Sequence, residues 1–235
     1  MKILILIAVT IIAVGCGAKD ESTTETKPVE EKVVEVNTEE PIAETKPKLE
    51  GVNWEEELEP REGLAYVKGS DAPYTGKVYG LYENGQKKAE ANFKDGKRDG
   101  LELQWYENGQ KQFEANFKDG KPDGLNLGWH ENGQKSGEAN FKDGKPNGVM
   151  VLWHENGQKT REGQFVDGKQ EGLWTAWFDQ GEVFGEGEFV QGKAQGCWVF
   201  YWPNGQKSQE GKYLHGKEEG RFTFWYENGQ KSQEG

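Results

Sequence analysis

The repeating part of this sequence has no helix signal. No apolar run in it is long enough, or spaced at three and four residues, to build an amphipathic helix. A membrane-spanning run is missing too: the longest apolar stretch, Ile3 to Val14, falls short of the about 20 residues a span requires. Positive charge is in deficit. The formal net charge is −12, which excludes the basic footprint that phosphate backbones select, so nucleic acid is not an expected partner. No nucleophile is set beside a base, no glycine-rich loop is built to cradle phosphate, and no ligand spacing suits a metal. His130 and His154 hold equivalent positions two strands apart, about 9–10 Å, too far to share one metal ion. His215 stands where other copies carry an aspartate in a turn. No catalytic residue, metal or cofactor is therefore expected.

What the sequence has instead is a beat. Asn-Gly or its equivalent begins at Asn84, Asn108, Asn132, Asn156, Gln180, Asn204 and Asn228, always 24 residues apart. A second mark keeps the same period at Asp95-Gly96, Asp119-Gly120, Asp143-Gly144, Asp167-Gly168, Gln191-Gly192 and His215-Gly216. A lone glycine keeps it again at Gly76, Gly100, Gly124, Gly148, Gly172, Gly196 and Gly220. A fixed period of this length marks a repeat architecture. The many glycines fall at hairpin positions, which explains them without a ligand.

Between the two turn signals lie two short alternating runs, LELQWY from Leu101 and QFEANF from Gln112. Alternation of this kind makes half-buried strands. A two-residue Asn-Gly loop would set Trp105 against Gln112. A three-residue loop, Glu107-Asn108-Gly109 with a left-handed glycine, shifts the register by one and puts Leu101, Leu103 and Trp105 on one face with Phe113, Ala115 and Phe117. Burial favours the second register, and the Lys118-Asp119-Gly120 turn reads the same way. The expected fold is all-β: a repetitive antiparallel β-hairpin meander of 24-residue repeats forming an elongated, curved single sheet.

Two faces follow. The odd-numbered one is apolar throughout, from Leu101, Leu103, Trp105, Phe113 and Phe117 to Phe189, Tyr201, Tyr213 and Trp225, and reads as core. Cys197 sits in this row as a small hydrophobe. A single sheet cannot bury such a face, so it must curl or be covered by a partner, a second copy included. The other face grows aromatic along the chain, through Trp174 and Phe178, Trp198, Phe200 and Trp202, then Phe222, Phe224 and Tyr226. It is either an interaction surface or a second core layer. The same reading places a glutamate of each copy there, Glu114, Glu138, Glu162, Glu186 and Glu210 among them. At about 9–10 Å apart they are too widely spaced for paired-carboxylate chemistry, which needs about 5–9.5 Å and a cleft. They read as a solvated face or as an attraction for a cationic partner.

The N-terminal 60 residues are different. Lys2, the short apolar run and Ala13-Val14-Gly15-Cys16 resemble a bacterial lipobox, which implies a signal peptide over 1–15, cleavage, and lipidation of Cys16. That leaves Cys197 without a disulfide partner. Residues 16–60 are rich in Glu, Lys, Thr and Pro and read as a disordered acidic tether. Residues 61–76 form an irregular cap, and 77–235 about seven repeats, the last one incomplete.

The run Trp105 to Lys111, WYENGQK, followed by Phe117-Lys118-Asp119-Gly120-Lys121 and Gly124, resembles the variant MORN repeat. The lead-in Tyr74-Thr75-Gly76 is similar to the start of YwqK-family antitoxins of toxin–antitoxin systems. The resemblance implies a β-hairpin array, no catalysis, and binding to proteins or membranes. With the lipobox, it implies a non-enzymatic, lipid-anchored interaction module of the bacterial envelope, at the outer membrane or cell surface. The alternative it implies is an antitoxin or immunity protein that neutralises a toxin by direct binding.

Overall fold

The structure, a computed structural model, describes residues 49–234. The expected signal peptide, Cys16 and most of the expected tether lie outside the described residues.

The chain enters through β1 (Val52–Asn53), α1 (Trp54–Glu57), β2 (Leu58–Arg61) and β3 (Leu64–Val67). It then runs through β4 (Gly76–Leu81), β5 (Lys87–Lys94), β6 (Lys97–Trp105), β7 (Lys111–Lys118), β8 (Lys121–Pro122), β9 (Gly124–Trp129), β10 (Lys135–Lys142) and β11 (Lys145–Trp153). The rest is β12 (Lys159–Val166), β13 (Lys169–Trp177), β14 (Val183–Val190), β15 (Lys193–Tyr201), β16 (Lys207–Leu214), β17 (Lys217–Trp225) and β18 (Lys231–Glu234). From β4 onward each strand pairs with the next in one 16-stranded sheet, with β8 a short offshoot paired to β7. The expected hairpin meander is present, as one open sheet.

Residues 52–60, expected to belong to the tether, lie in strands and a helical turn. β1 pairs in parallel with β4, Val52 opposite Val78. Asn53 Oδ1 accepts from the Glu55 amide, and the Glu57 carboxylate accepts from the Asn53 amide, a reciprocal cap for one helical turn. That turn lays the Trp54 indole over Gly80, where a β-carbon would stand 2.6 Å from Nε1. β2 and β3 form a separate hairpin, tied to the first repeat by the Ala65 amide donating to the Gly96 carbonyl at 2.9 Å.

The two turns differ. At the Asn-Gly turn the Tyr106 amide donates to the Gln110 carbonyl, the Gly109 amide donates to the Tyr106 carbonyl, and Gly109 has φ 83°. This is the expected three-residue loop with a left-handed glycine. At the other turn Lys118 pairs directly with Lys121, leaving only Asp119 (φ 49°) and Gly120 (φ 80°) between them. Two successive positive φ angles make a two-residue type I′ turn, not a second three-residue loop.

The expected faces are corrected by a bulge. Trp105 pairs with Lys111, but Gln104 pairs with Phe113, so Gln112 is an extra residue. Leu103 then faces Glu114, Leu101 faces Asn116, and Glu102 faces Ala115. The same shift recurs between Leu152 and Trp153, between Ala176 and Trp177, and between Phe200 and Tyr201. One inserted residue turns every following side chain over. The odd-numbered apolar face therefore does not exist. One side, face A, carries Glu102, Phe113, Ala115 and Phe117 and their equivalents. The other, face B, carries Leu101, Leu103, Trp105, Lys111 and Glu114.

Packing explains why the bulged register wins. On face A small residues of the returning strands alternate with larger ones of the outgoing strands. The row reads Val78, Ala91, Glu102, Ala115, Asn126, Ala139, Met150, Gly163, Trp174, Gly187, Trp198, Gly211, Phe222. Where the outgoing residue becomes a bulky ring, alanine gives way to glycine. The result is a row of knobs seated in shallow holes within a single layer, and it buries Val78, Ala115, Trp174 and Phe222.

Candidate binding faces

Face A in the C-terminal half is an interlocked aromatic ladder. Ring centroids step from Phe165 to Trp174 (5.1 Å), Phe189 (6.1 Å), Trp198 (5.0 Å), Tyr213 (6.0 Å) and Phe222 (5.5 Å), every contact edge to face. Trp174 is 4 % exposed and Phe222 6 %. These two rings are consumed by packing on the glycines of neighbouring strands within the one sheet. Phe200 shares the face, stacked on Trp198 at 6.1 Å, and so does Phe224, opposite Gln209. In the N-terminal half the outgoing-strand positions of this face carry polar Glu102, Gln104 and Asn126 in place of rings. Glu102 is buried between Ala91 and Ala115, 3.2 Å from Arg98 Nε, with Gln104 Nε2 donating to it at 2.7 Å.

Phe178, Trp202 and Tyr226 stand at the hairpin tips. At the equivalent position four side chains, Tyr82, Tyr106, His130 and Trp202, tie one repeat to the next. Tyr82 and Tyr106 donate their hydroxyls to the carbonyls of Trp105 and Trp129, and Trp202 Nε1 donates to the carbonyl of Trp225 at 3.0 Å. His130 Nε2 lies 2.9 Å from the carbonyl of Trp153, and since a carbonyl only accepts, that nitrogen carries the proton. Phe178 cannot donate and packs against Phe184 at 5.2 Å instead. Side chains of Asn108, Asn132, Asn156 and Asn204 donate to the backbone of the following turn.

The glutamates lie on face B, away from the aromatic ladder. Glu114 faces both Leu103 and Leu127, and Glu138 faces Leu127 and Val151. Each belongs to a stack that sequence reading missed. Lys111 Nζ is 2.7 Å from Glu114 Oε2 and 5.1 Å from the centre of the Trp129 ring. Lys87 joins Glu90 to Trp105, Lys135 joins Glu138 to Trp153, Lys159 joins Glu162 to Trp177, and Lys207 joins Glu210 to Trp225. The Glu210 hydrogen bond, ahead of the opposing effect of burial, raises the Lys207 pKa. A lysine at a fixed place in the 24-residue period was the available signal.

One copy departs. Val183 takes the lysine position and Tyr201 the tryptophan position, and the Tyr201 hydroxyl donates to Glu186 Oε1 at 3.3 Å. Burial first, then the Glu186 charge, raises the Tyr201 pKa.

Alongside these stacks runs an open apolar stripe. Leu101, Leu125, Val149 and Leu173 are 38, 42, 50 and 58 % exposed, one per repeat. They are surface and not core, because the bulge leaves them opposite Asn116, Asn140, Gln164 and Glu188. Cys197 continues the stripe and is exposed as well, not a core residue. Val149, Glu162, Gln164, Leu173, Thr175 and Trp177 line a shallow depression on this face.

Among the described residues no group of His, Cys, Asp and Glu is placed to hold a metal ion, and no helix is long and apolar enough to cross a membrane. No curated protein matches the sequence. Among solved structures, a crystal structure of an S. aureus TarM mutant in complex with fondaparinux, α-GlcNAc-glycerol and UDP is similar at 9 % identity and a TM-score of 0.27, over 41 % of this chain. The chain spans 19 % of that protein's length, a likeness on which nothing further rests. The MORN repeat model matches residues 162–173. The model described as MORN repeat variant matches residues 74–95, 98–119, 122–143, 146–167, 194–215 and 218–235, each span taking in one outgoing strand and the returning strand that pairs with it. With more than half of its length matched, the chain belongs to the MORN repeat variant family.

Proposed function

We propose that this is a non-enzymatic, membrane-tethered repeat protein that binds another protein through face B. The observation that carries the reading is the open stripe of Leu101, Leu125, Val149 and Leu173 beside a row of glutamates. Aligned aliphatic side chains left in water across four repeats favour a partner that covers them. The fitting partner presents an apolar ridge flanked by lysine or arginine, matching the chain's net charge of −12. The tether is the lipid-modified Cys16 with the acidic segment after it, which holds the sheet off the envelope surface. The net charge of −12 also fits a basic toxin, so neutralisation of such a toxin by direct binding is the second reading.

The test is capture from solubilised envelopes, followed by reconstitution with each purified candidate. Leu125→Glu and Val149→Glu together abolish binding of the true partner, while Phe184→Ser on face A leaves it intact. Equal binding by all three proteins overturns the assignment to face B. Palmitate incorporation that persists in Cys16→Ala overturns the tether.

A further inference from the structure

We propose that face B holds a recognition site for a lysine side chain of the partner, built from Glu186 and Tyr201 and bordered by Trp177. The inference rests on face B being the binding face.

The argument comes from internal comparison. Five copies of the repeat show what their glutamate and aromatic ring bind, because the chain supplies the guest itself. In each a lysine ammonium contacts the carboxylate and lies 5.1–5.9 Å from the centre of an aromatic ring. This pairs an ion pair with a cation–π contact around one alkylammonium.

In the copy from Val183 to Tyr201 the host is kept and the guest is missing. Glu186 occupies the glutamate row, facing Thr175 and Val199. Tyr201 supplies the ring, and Trp177 lies opposite Val183 on the neighbouring strand. Val183 has no charge and is shorter than lysine. Among the described residues no lysine or arginine forms an ion pair with Glu186, whose one hydrogen bond comes from the Tyr201 hydroxyl. A carboxylate can accept several hydrogen bonds, so most of its capacity is unused. Glu186 and Tyr201 are both partly exposed, which leaves the position open to an incoming side chain. It also borders the shallow depression that Leu173, Thr175 and Trp177 line at the most exposed end of the apolar stripe. A partner lying along the stripe would reach it there. Lysine is the favoured guest over arginine because all five internal guests are lysines.

The probe is Nα-acetyl-lysine N-methylamide, titrated into the mature full-length protein and followed by NMR, with the norleucine analogue as the uncharged isostere. Saturable shifts confined to Tyr201, Trp177 and Val183 are expected at millimolar probe, with norleucine at least about tenfold weaker. Glu186→Gln lowers the affinity about tenfold. Val183→Lys supplies the guest in cis, abolishes probe binding and leaves the spectrum of the other repeats in place. Probe binding that survives Val183→Lys, or equal shifts with norleucine, overturns the site. If Leu125→Glu with Val149→Glu abolishes partner binding while Val183→Lys still takes up the probe, the lysine site fails and the face B reading stands. If the probe behaves as expected but those stripe variants bind the partner unchanged, the face B reading fails instead.

Discussion

Gly187 lies directly opposite Trp198, and a β-carbon on Gly187 would stand 2.1 Å from the indole Cδ2. The same closeness holds for Gly163 under Trp174 and for Gly211 under Phe222. Size complementarity between neighbouring strands, within one layer, takes the place of a core between two layers.

Gly187→Ala should therefore lower stability by about 1–3 kcal/mol through overpacking. Gly187 has no positive φ, so the loss comes from the clash and not from backbone strain. In a Trp198→Met background the same change should cost far less, since Ala139 already faces Met150. Urea denaturation of the four proteins measures the coupling. Additive losses would show that the ring does not sit on the glycine.

Glu102 offers a contrasting case. It is buried with one charged neighbour, Arg98, which is itself partly exposed. Glu102→Met should be neutral or stabilising, because a similar apolar volume removes the cost of a buried charge. Arg98→Ala should destabilise by about 1–3 kcal/mol, because it leaves the carboxylate short of a partner. Thermal melts of both variants at one pH decide this, and the reverse order contradicts it.

The face B stacks are individually weak. Lys135 and Glu138 are both partly exposed, so their pair is worth about 1 kcal/mol or less. The Trp153 ring adds about 0.5–1 kcal/mol as a cation–π contact. A double-mutant cycle with Lys135→Met and Trp153→Leu should return a coupling that shrinks in molar salt. A coupling of zero at low salt would remove the stack as a source of stability.

Alkaline pH should destabilise the array. Burial raises the pKa of Tyr74, Tyr201 and Tyr213 above the ordinary 10.0, and the Glu210 hydrogen bond raises Lys207 above 10.5. In every case the folded state binds the proton more tightly than the unfolded chain does. Their contribution is complete below the unfolded pKa and is lost as pH climbs through the folded one. The melting temperature should hold up to about pH 9 and fall above pH 10, less steeply in Tyr201→Phe. A flat profile to pH 11 contradicts the assignment.

The sequence made the meander legible because turn chemistry is local: Asn108-Gly109 and Asp119-Gly120 each dictate a bend from a few adjacent residues. It did not reveal the faces, because parity hangs on one bulge residue, Gln112, whose type carries no bulge signature. Serine, threonine and phenylalanine fill the equivalent place at Ser136, Thr160 and Phe184. From that slip came both the misplacing of Phe117 beside Trp105 and the reading of Leu101 and Cys197 as core. The aromatic residues of the candidate site were visible as a ladder, but that Trp174 and Phe222 are spent on packing follows only from the glycines beneath them. Glu186 was legible as one of a row. What sets it apart, Val183 in a lysine position, becomes meaningful only once the register brings that position beside the carboxylate and the ring.

The bulged register is the claim on which both faces depend, and NOE spectroscopy of methyl-labelled protein tests it most directly. The account predicts contacts from the Leu103 methyls to the Glu114 side chain and from the Ala115 methyl to Glu102. Contacts from the Leu103 methyls to the Phe113 or Phe117 rings would contradict it.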